Sequence, residues 1–201
     1  MKNMTVADFT ALTESNAPAP GGGSVAALCG ALGAALSGMV ANLTIGREKY
    51  QDSWEEMEDM EPKAKALSEK LLDQIKIDSD SFDAYMAATK LPKETDEEKA
   101  VRREAMQKGL KEAALVPLET AKMAYEIMDY AEAAIKRGNP NSVTDGKTGL
   151  MLARTAVLAA GYNVKINLEG IKDEAFVAEK TKEITEIEQN AIRREKEILG
   201  L

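Results

Sequence analysis

The chain has 201 residues, 44% of them hydrophobic and 30% charged, with a net charge of −8, one cysteine (Cys29) and no histidine. That is long enough for one domain with a real core. It excludes a Ser-His-Asp triad, a histidine metal site and an internal disulfide, and the acidity leaves no basic stripe for a nucleic-acid backbone.

Aromatics are 4% of the chain, strand-like alternation is absent, and Ala, Leu, Met, Glu and Lys dominate, so the pattern is helical. "TVAD" at Thr5 to Asp8 resembles a capping box and opens a short first helix. Asp8 and Glu14 interrupt this N-terminal stretch, which therefore does not read as a secretory leader; with one cysteine, a cytoplasmic location is expected. Ala17 to Gly23 is a loop, and Ser24 caps a second helix reaching about Leu43. Pro62 sits in the first turn of a third helix that runs to about Lys90 and ends at Leu91-Pro92. "TDEE" at Thr95 opens a fourth helix, which Pro117 is expected to kink or split. Arg137 to Ser142 is a turn, a further helix spans about Asp145 to Leu168, and a charged amphipathic helix starts near Glu174. Six or seven helices with short connections predict an all-α, antiparallel up-and-down bundle, one domain over residues 1–201.

Ala17 to Gly46 carries no charge. Its length suits a membrane span, but alanine and glycine supply most of it, and Asn16, Ser24, Ser37 and Asn42 add cost. Gly30, Ala34, Gly38 and Asn42 step by four, as do Gly33, Ser37 and Ala41, so one helix face lacks bulk. This describes a central helix that another helix, or a second copy, approaches closely. At its mouth, Gly21, Gly22, Gly23 and Ser24 bring free N–H groups to a helix start, which suits an anion or carbonyl as well as a plain turn. It is neither a Walker loop nor a dinucleotide fingerprint, lacking the lysine of one and the preceding strand of the other.

Acid/base chemistry without histidine falls to Asp, Glu, Lys, Tyr or Cys. In the third helix the apolar seam reads Leu67, Leu71, Ile75, then position 78, Phe82, Tyr85 and Thr89, and position 78 is Asp78. Asp80 and Asp83 fall about 200° and 140° around the helix from it and face water. Asp78 is thus placed inward, either as a structural hydrogen-bonding group or as an acid/base whose pKa burial raises. Asn139, Asn141 and Asp145 cluster at a helix entry, where Ser142 and Asp145 can form a capping box. Asn163 and Asn167 lie one turn apart and either read a heterocycle's donors and acceptors or bond to neighbouring helices.

"PGGGSVAALCGALGAALSGMVANLT", "DSDSFDAYMAATKLPK", "NPNSVTDG" and "AGYNVKINLEGIKDEAF" resemble, in order and over nearly the whole chain, the cyclodeaminase/cyclohydrolase family of tetrahydrofolate enzymes. The resemblance implies a helical homodimer acting on folate-bound one-carbon units, with no metal or permanently bound cofactor and the folate as substrate. The activity implied is either 5-formimino-tetrahydrofolate to 5,10-methenyl-tetrahydrofolate with loss of ammonia, or interconversion of methenyl- and 10-formyl-tetrahydrofolate. Asp78 matches the aspartate of the family's Asp-Ala-x-Ala-Phe pattern, with Ser79 and Ser81 in place of its alanines. Thr144-Asp145 matches a Ser-Asp pair, Asn163 and Asn167 match an Asn-Val-x-x-Asn segment, and Lys93 matches the lysine of Leu-Pro-Lys. The predicted pocket gathers Asp78 as acid/base with Gly21, Gly22, Gly23, Ser24, Lys93, Asn139, Asn141, Asp145, Asn163 and Asn167 around the substrate. Lys93, Arg47 and Lys49 are candidates for the glutamate tail. Two rivals stay open: a non-catalytic folate-binding or scaffold bundle, and a membrane-associated helical protein.

Overall fold

The computed structural model describes residues 1–201 and is helical throughout, without strands. The six α-helices are α1 (Val6–Glu14), α2 (Gly22–Asn42), α3 (Trp54–Thr89), α4 (Asp96–Arg137), α5 (Val143–Leu168) and α6 (Glu174–Leu199), with short 3-10 segments at Glu48–Ser53, kinked at Tyr50, and at Pro140–Ser142. Each of α3 to α6 runs antiparallel to the one before it. Ser24 meets Ile75 across α2 and α3, Arg102 meets Thr89 across α3 and α4, Asn167 meets Ala113 across α4 and α5, and Arg154 meets Glu195 across α5 and α6.

Two predicted start signals operate. Thr5 accepts from the Asp8 N–H at 3.1 Å, and Thr95 and Glu98 form a reciprocal capping box on α4. Other boundaries differ. α3 begins at Trp54, eight residues before Pro62, because Trp54, Met57 and Met60 extend the apolar stripe onto the C-terminal end of α2. Pro62 and Glu58, whose carbonyl loses its usual helical donor to the proline, are both exposed, so that carbonyl is on the solvent side of α3. α4 continues unbroken past the buried Pro117. Ser142 makes no side-chain cap on α5; Asn139 instead accepts from the Asn141 N–H at 3.0 Å and caps the preceding 3-10 turn.

α2 is the centre of the bundle, packed by α3, α4 and α5. Twelve of its 21 residues are buried, all of them Gly, Ala, Ser or Val. The close approach is sharpest against α5: a Cβ on Gly33 would lie 2.9 Å from the Gly149 carbonyl oxygen, and one on Gly149 would lie 3.1 Å from that of Gly33. Elsewhere the core is filled by larger side chains from α3 to α6, including Leu71, Leu118, Ile127, Leu150 and Ile184. α6 closes the bundle over α5 through two ion pairs whose glutamates are buried and whose cations reach the surface, Arg154–Glu195 at 2.9 Å and Lys165–Glu188 at 2.6 Å.

Candidate active site

The α3 stripe runs buried through Leu67, Leu71 and Ile75 and then changes character. α2 starts at Gly22, level with Ile75 and Asp78, so beyond that point α3 has no α2 to cover it. The stripe opens into a cavity of about 340 Å³ between the α2 mouth, α3 and the C-terminal half of α5. Phe82, expected in the core seam, is 38% exposed and forms part of the cavity wall. Asp78 is half-buried at the cavity rather than enclosed in the bundle. Asp80 and Asp83 face water, Asp80 paired with Lys76.

Asp78 Oδ2 accepts from the Ser24 hydroxyl at 2.8 Å. Burial pushes its carboxyl above the ordinary value, against the Ser24 hydroxyl and backbone N–H, which favour the charged form. Gly23 is there for space: a Cβ would lie 2.2 Å from Asp78 Oδ1. The glycine mouth thus lets a carboxylate sit against the N-terminus of α2, where the helix dipole steadies it without cancelling the effect of burial. Ser79 and Ser81, where the family pattern has alanine, bond to their own helix carbonyls, Ile75 at 3.2 Å and Asp78 at 2.8 Å, and leave no polar group stranded.

Asn163 and Asn167 line the opposite wall. Asn163 Nδ2 donates to the Ala159 carbonyl and Asn167 Nδ2 to the Ala113 carbonyl, each at 2.8 Å. Both amides are thereby held with Oδ1 unbonded within the chain. The geometry brings together Gly21, Gly22, Gly23, Ser24, Asp78, Asn163 and Asn167, drawn from three helices.

Asn139, Asn141 and Asp145 lie elsewhere. Asn139 donates from its backbone to Thr44 Oγ1 at 2.8 Å and from Nδ2 to the Leu43 carbonyl at 3.2 Å, locking the α4–α5 turn onto the far end of α2. With 21 residues in α2, that end is about 30 Å from the glycine mouth. Arg47 shares this end, its Nε bonded to the Leu43 carbonyl, as does Lys49 close to it in the chain. Lys93 is exposed in the α3–α4 connection and lines no part of the cavity.

A second cleft, of about 310 Å³, escaped the sequence reading. Lys99, Arg102 and Arg103 share one face of α4, and Lys172 joins them from the α5–α6 connection. The i, i+3, i+4 spacing of the first three was visible in the sequence; the arrival of Lys172 was not. Gln107 ties the cleft to this connection, donating to the Gly170 carbonyl at 2.9 Å and accepting from the Lys172 N–H at 2.7 Å. The cleft lies on the α4–α5 edge that also carries Ala113 and Asn167, with Gln107 and Ala113 about 9 Å apart along α4.

A carboxylate of raised pKa thus lies across a cavity from two asparagine amides, and residues 5–186 match the formiminotransferase-cyclodeaminase family. The chain belongs to that family. A methenyltetrahydrofolate cyclohydrolase of Methylorubrum extorquens is 41% identical over 182 residues, covering 90% of this chain and 88% of the relative. The formimidoyltransferase-cyclodeaminase of Sus scrofa is 37% identical over 177 residues, and there the match spans only 33% of the larger protein. The crystal structure of a formiminotetrahydrofolate cyclodeaminase from Thermotoga maritima superposes with a TM-score of 0.85 at 29% identity, over 99% of this chain and 97% of that one. The all-helical bundle is therefore the family's fold, and the chain is an enzyme of the cyclodeaminase/cyclohydrolase type.

Proposed function

We propose that this enzyme interconverts 5,10-methenyl-tetrahydrofolate and 10-formyl-tetrahydrofolate, with Asp78 as its acid/base. The observation that carries the reading is the Ser24–Asp78 pair at the cavity, a carboxylate whose proton affinity burial has raised and whose position a hydroxyl and a glycine define. Ionised Asp78 takes a proton from a water as its oxygen bonds to the methenyl carbon, which lies between N5 and N10. The resulting hydroxyl adduct is neutral. Protonated Asp78 then gives that proton to N5 as the carbon–N5 bond breaks, and the adduct hydroxyl loses its proton as the formyl group forms on N10. The net change is uptake of one water and release of one proton. One carboxylate that alternates between states serves both transfers.

The free oxygens of Asn163 and Asn167 suit the N–H and amino donors of a pterin edge. The basic cleft of Lys99, Arg102, Arg103 and Lys172, one step along the same edge, suits the carboxylates of the glutamate tail better than Lys93, Arg47 or Lys49 do. The chemistry needs orientation and proton transfer, and no permanently bound cofactor is invoked. Val25, Leu28, Leu32, Ala35 and Met39 form one outward apolar stripe on α2, with Leu32 49% and Met39 45% exposed, which supports a homodimer in which a second copy covers it. A chain whose one cysteine can form no internal disulfide suits the cytoplasm.

The family name and the Thermotoga maritima structure favour a second reading, cyclodeamination of 5-formimino-tetrahydrofolate. The same Asp78 would protonate the departing amine. Both are tested by supplying each substrate to the purified enzyme, following the methenyl chromophore and free ammonia. Loss of the methenyl absorbance without ammonia supports hydrolysis. Ammonia release from the formimino compound supports deamination, and turnover of neither refutes the enzymatic reading.

A further inference from the structure

Pro117 lies inside α4, buried, with the helix continuous on both sides. A helical residue at this position would donate its N–H to the carbonyl four residues earlier, that of Ala113. Proline has no N–H, so that carbonyl is left over. The structure gives it to another helix: Asn167 Nδ2, 54 residues away on α5, donates to it at 2.8 Å. Ala113 and Asn167 both line the catalytic cavity. A carbonyl accepts only from the amide's nitrogen, so this bond decides which way the Asn167 amide faces.

We propose that Pro117 is a positioning residue for substrate recognition: by withholding its N–H it reserves the Ala113 carbonyl for Asn167 and so presents the Asn167 amide oxygen to the ligand. Asn163, one turn earlier, is held the same way round by the Ala159 carbonyl of its own helix. The two residues lie about 6 Å apart along the α5 axis, and their oxygens then form a paired acceptor edge. Such an edge selects a heterocycle that offers N–H donors and disfavours one that offers acceptors. Asn163 needs only its own helix to be oriented. Asn167 depends on a proline in another helix, which is why the proline is tolerated in the buried interior of α4. This rests on the pterin substrate proposed above.

The test is Pro117→Ala, which restores an N–H to compete for the Ala113 carbonyl. The expected result is a melting temperature equal to or above that of the parent, since alanine suits a helix better than proline. KM for methenyl-tetrahydrofolate rises about tenfold with kcat within about threefold, as for loss of one oriented hydrogen bond. In an Asn167→Ala background the same change has no further effect on KM. Independently of activity, the Asn167 side-chain NH2 resonances exchange slowly with solvent in the parent and lose that protection in Pro117→Ala. An unchanged KM, an undiminished effect without Asn167, or an amide that stays protected overturns the inference. Should Pro117→Ala fail to fold, Pro117→Ser supplies the same N–H and is read by the same measurements. A parent that turns over neither folate substrate refutes the proposed function, while the exchange measurement still decides whether Pro117 orients Asn167.

Discussion

Asp78→Asn separates chemistry from architecture. Asparagine keeps the shape, and its carbonyl oxygen still accepts from the Ser24 hydroxyl now 2.8 Å from the carboxylate. Its NH2 fits the space beside Gly23 that the second carboxylate oxygen occupies. Only the ability to take up and return a proton is lost. A positioned acid/base contributes about 10²–10⁴ in rate, so kcat is expected to fall by that factor, about 2.7–5.5 kcal/mol of barrier. Stability moves the other way. The folded carboxyl holds its proton above the ordinary 3.8 because burial disfavours its charge. Across the interval from 3.8 up to the raised value the folded state binds more protons than the unfolded state, so wild-type stability falls as pH rises through it. The asparagine variant has no charge to bury and shows no such fall. Its melting temperature at neutral pH is expected to equal or exceed the wild type's, and the acid limb of the wild-type rate profile lies above pH 3.8. The assay is methenyl absorbance under saturating substrate, with calorimetry across pH. A variant that keeps the wild-type rate, or one that melts well below wild type at neutral pH, refutes the assignment.

Gly23→Ala puts a Cβ 2.2 Å from Asp78 Oδ1, so the carboxylate must move, and kcat should drop at least tenfold while helical content by circular dichroism is retained. Gly33→Ala sets a Cβ 2.9 Å from the backbone oxygen of Gly149, which has no flexible end to yield; the expected cost is about 1–3 kcal/mol, read from urea unfolding. Replacing Arg103 and Lys172 together with alanine should raise KM for a substrate with several glutamates more than for one with a single glutamate, and reduce the salt dependence of that KM. Equal KM changes for the two substrates would remove the cleft from tail recognition.

Information carried within one or two helical turns was legible in the sequence. The Thr5 and Thr95 caps depend on residues three positions away, and the bulk-free faces of α2 follow from small residues spaced by four. The same periodicity singled out Asp78, because one carboxylate interrupted an apolar stripe. It did not show that the stripe itself ends there. Phe82 and Asp78 face a cavity because α2 begins level with them, a matter of where two helices stop relative to each other. Pro62 and Pro117 read locally as a helix start and a helix break. What makes each tolerable lies outside the helix: Glu58 and Pro62 are on the solvent side, and an asparagine 54 residues away bonds the Ala113 carbonyl.

Motif order likewise carried no distance. "NPNSVTDG" and "AGYNVKIN" belong to the same helix and its entry, yet antiparallel packing sets Asn139 at the far end of α2 and Asn163 at its mouth. By itself the sequence determined the helices, the close-packed identity of α2 and the one carboxylate out of place. The tertiary structure decided which polar groups meet: Ser24 with Asp78, Asn167 with Ala113, and Lys172 with the basic face of α4. The physical reason is range. Helical hydrogen bonds and side-chain spacing act over three or four residues, whereas these partners lie tens of residues apart and meet only when the bundle is packed.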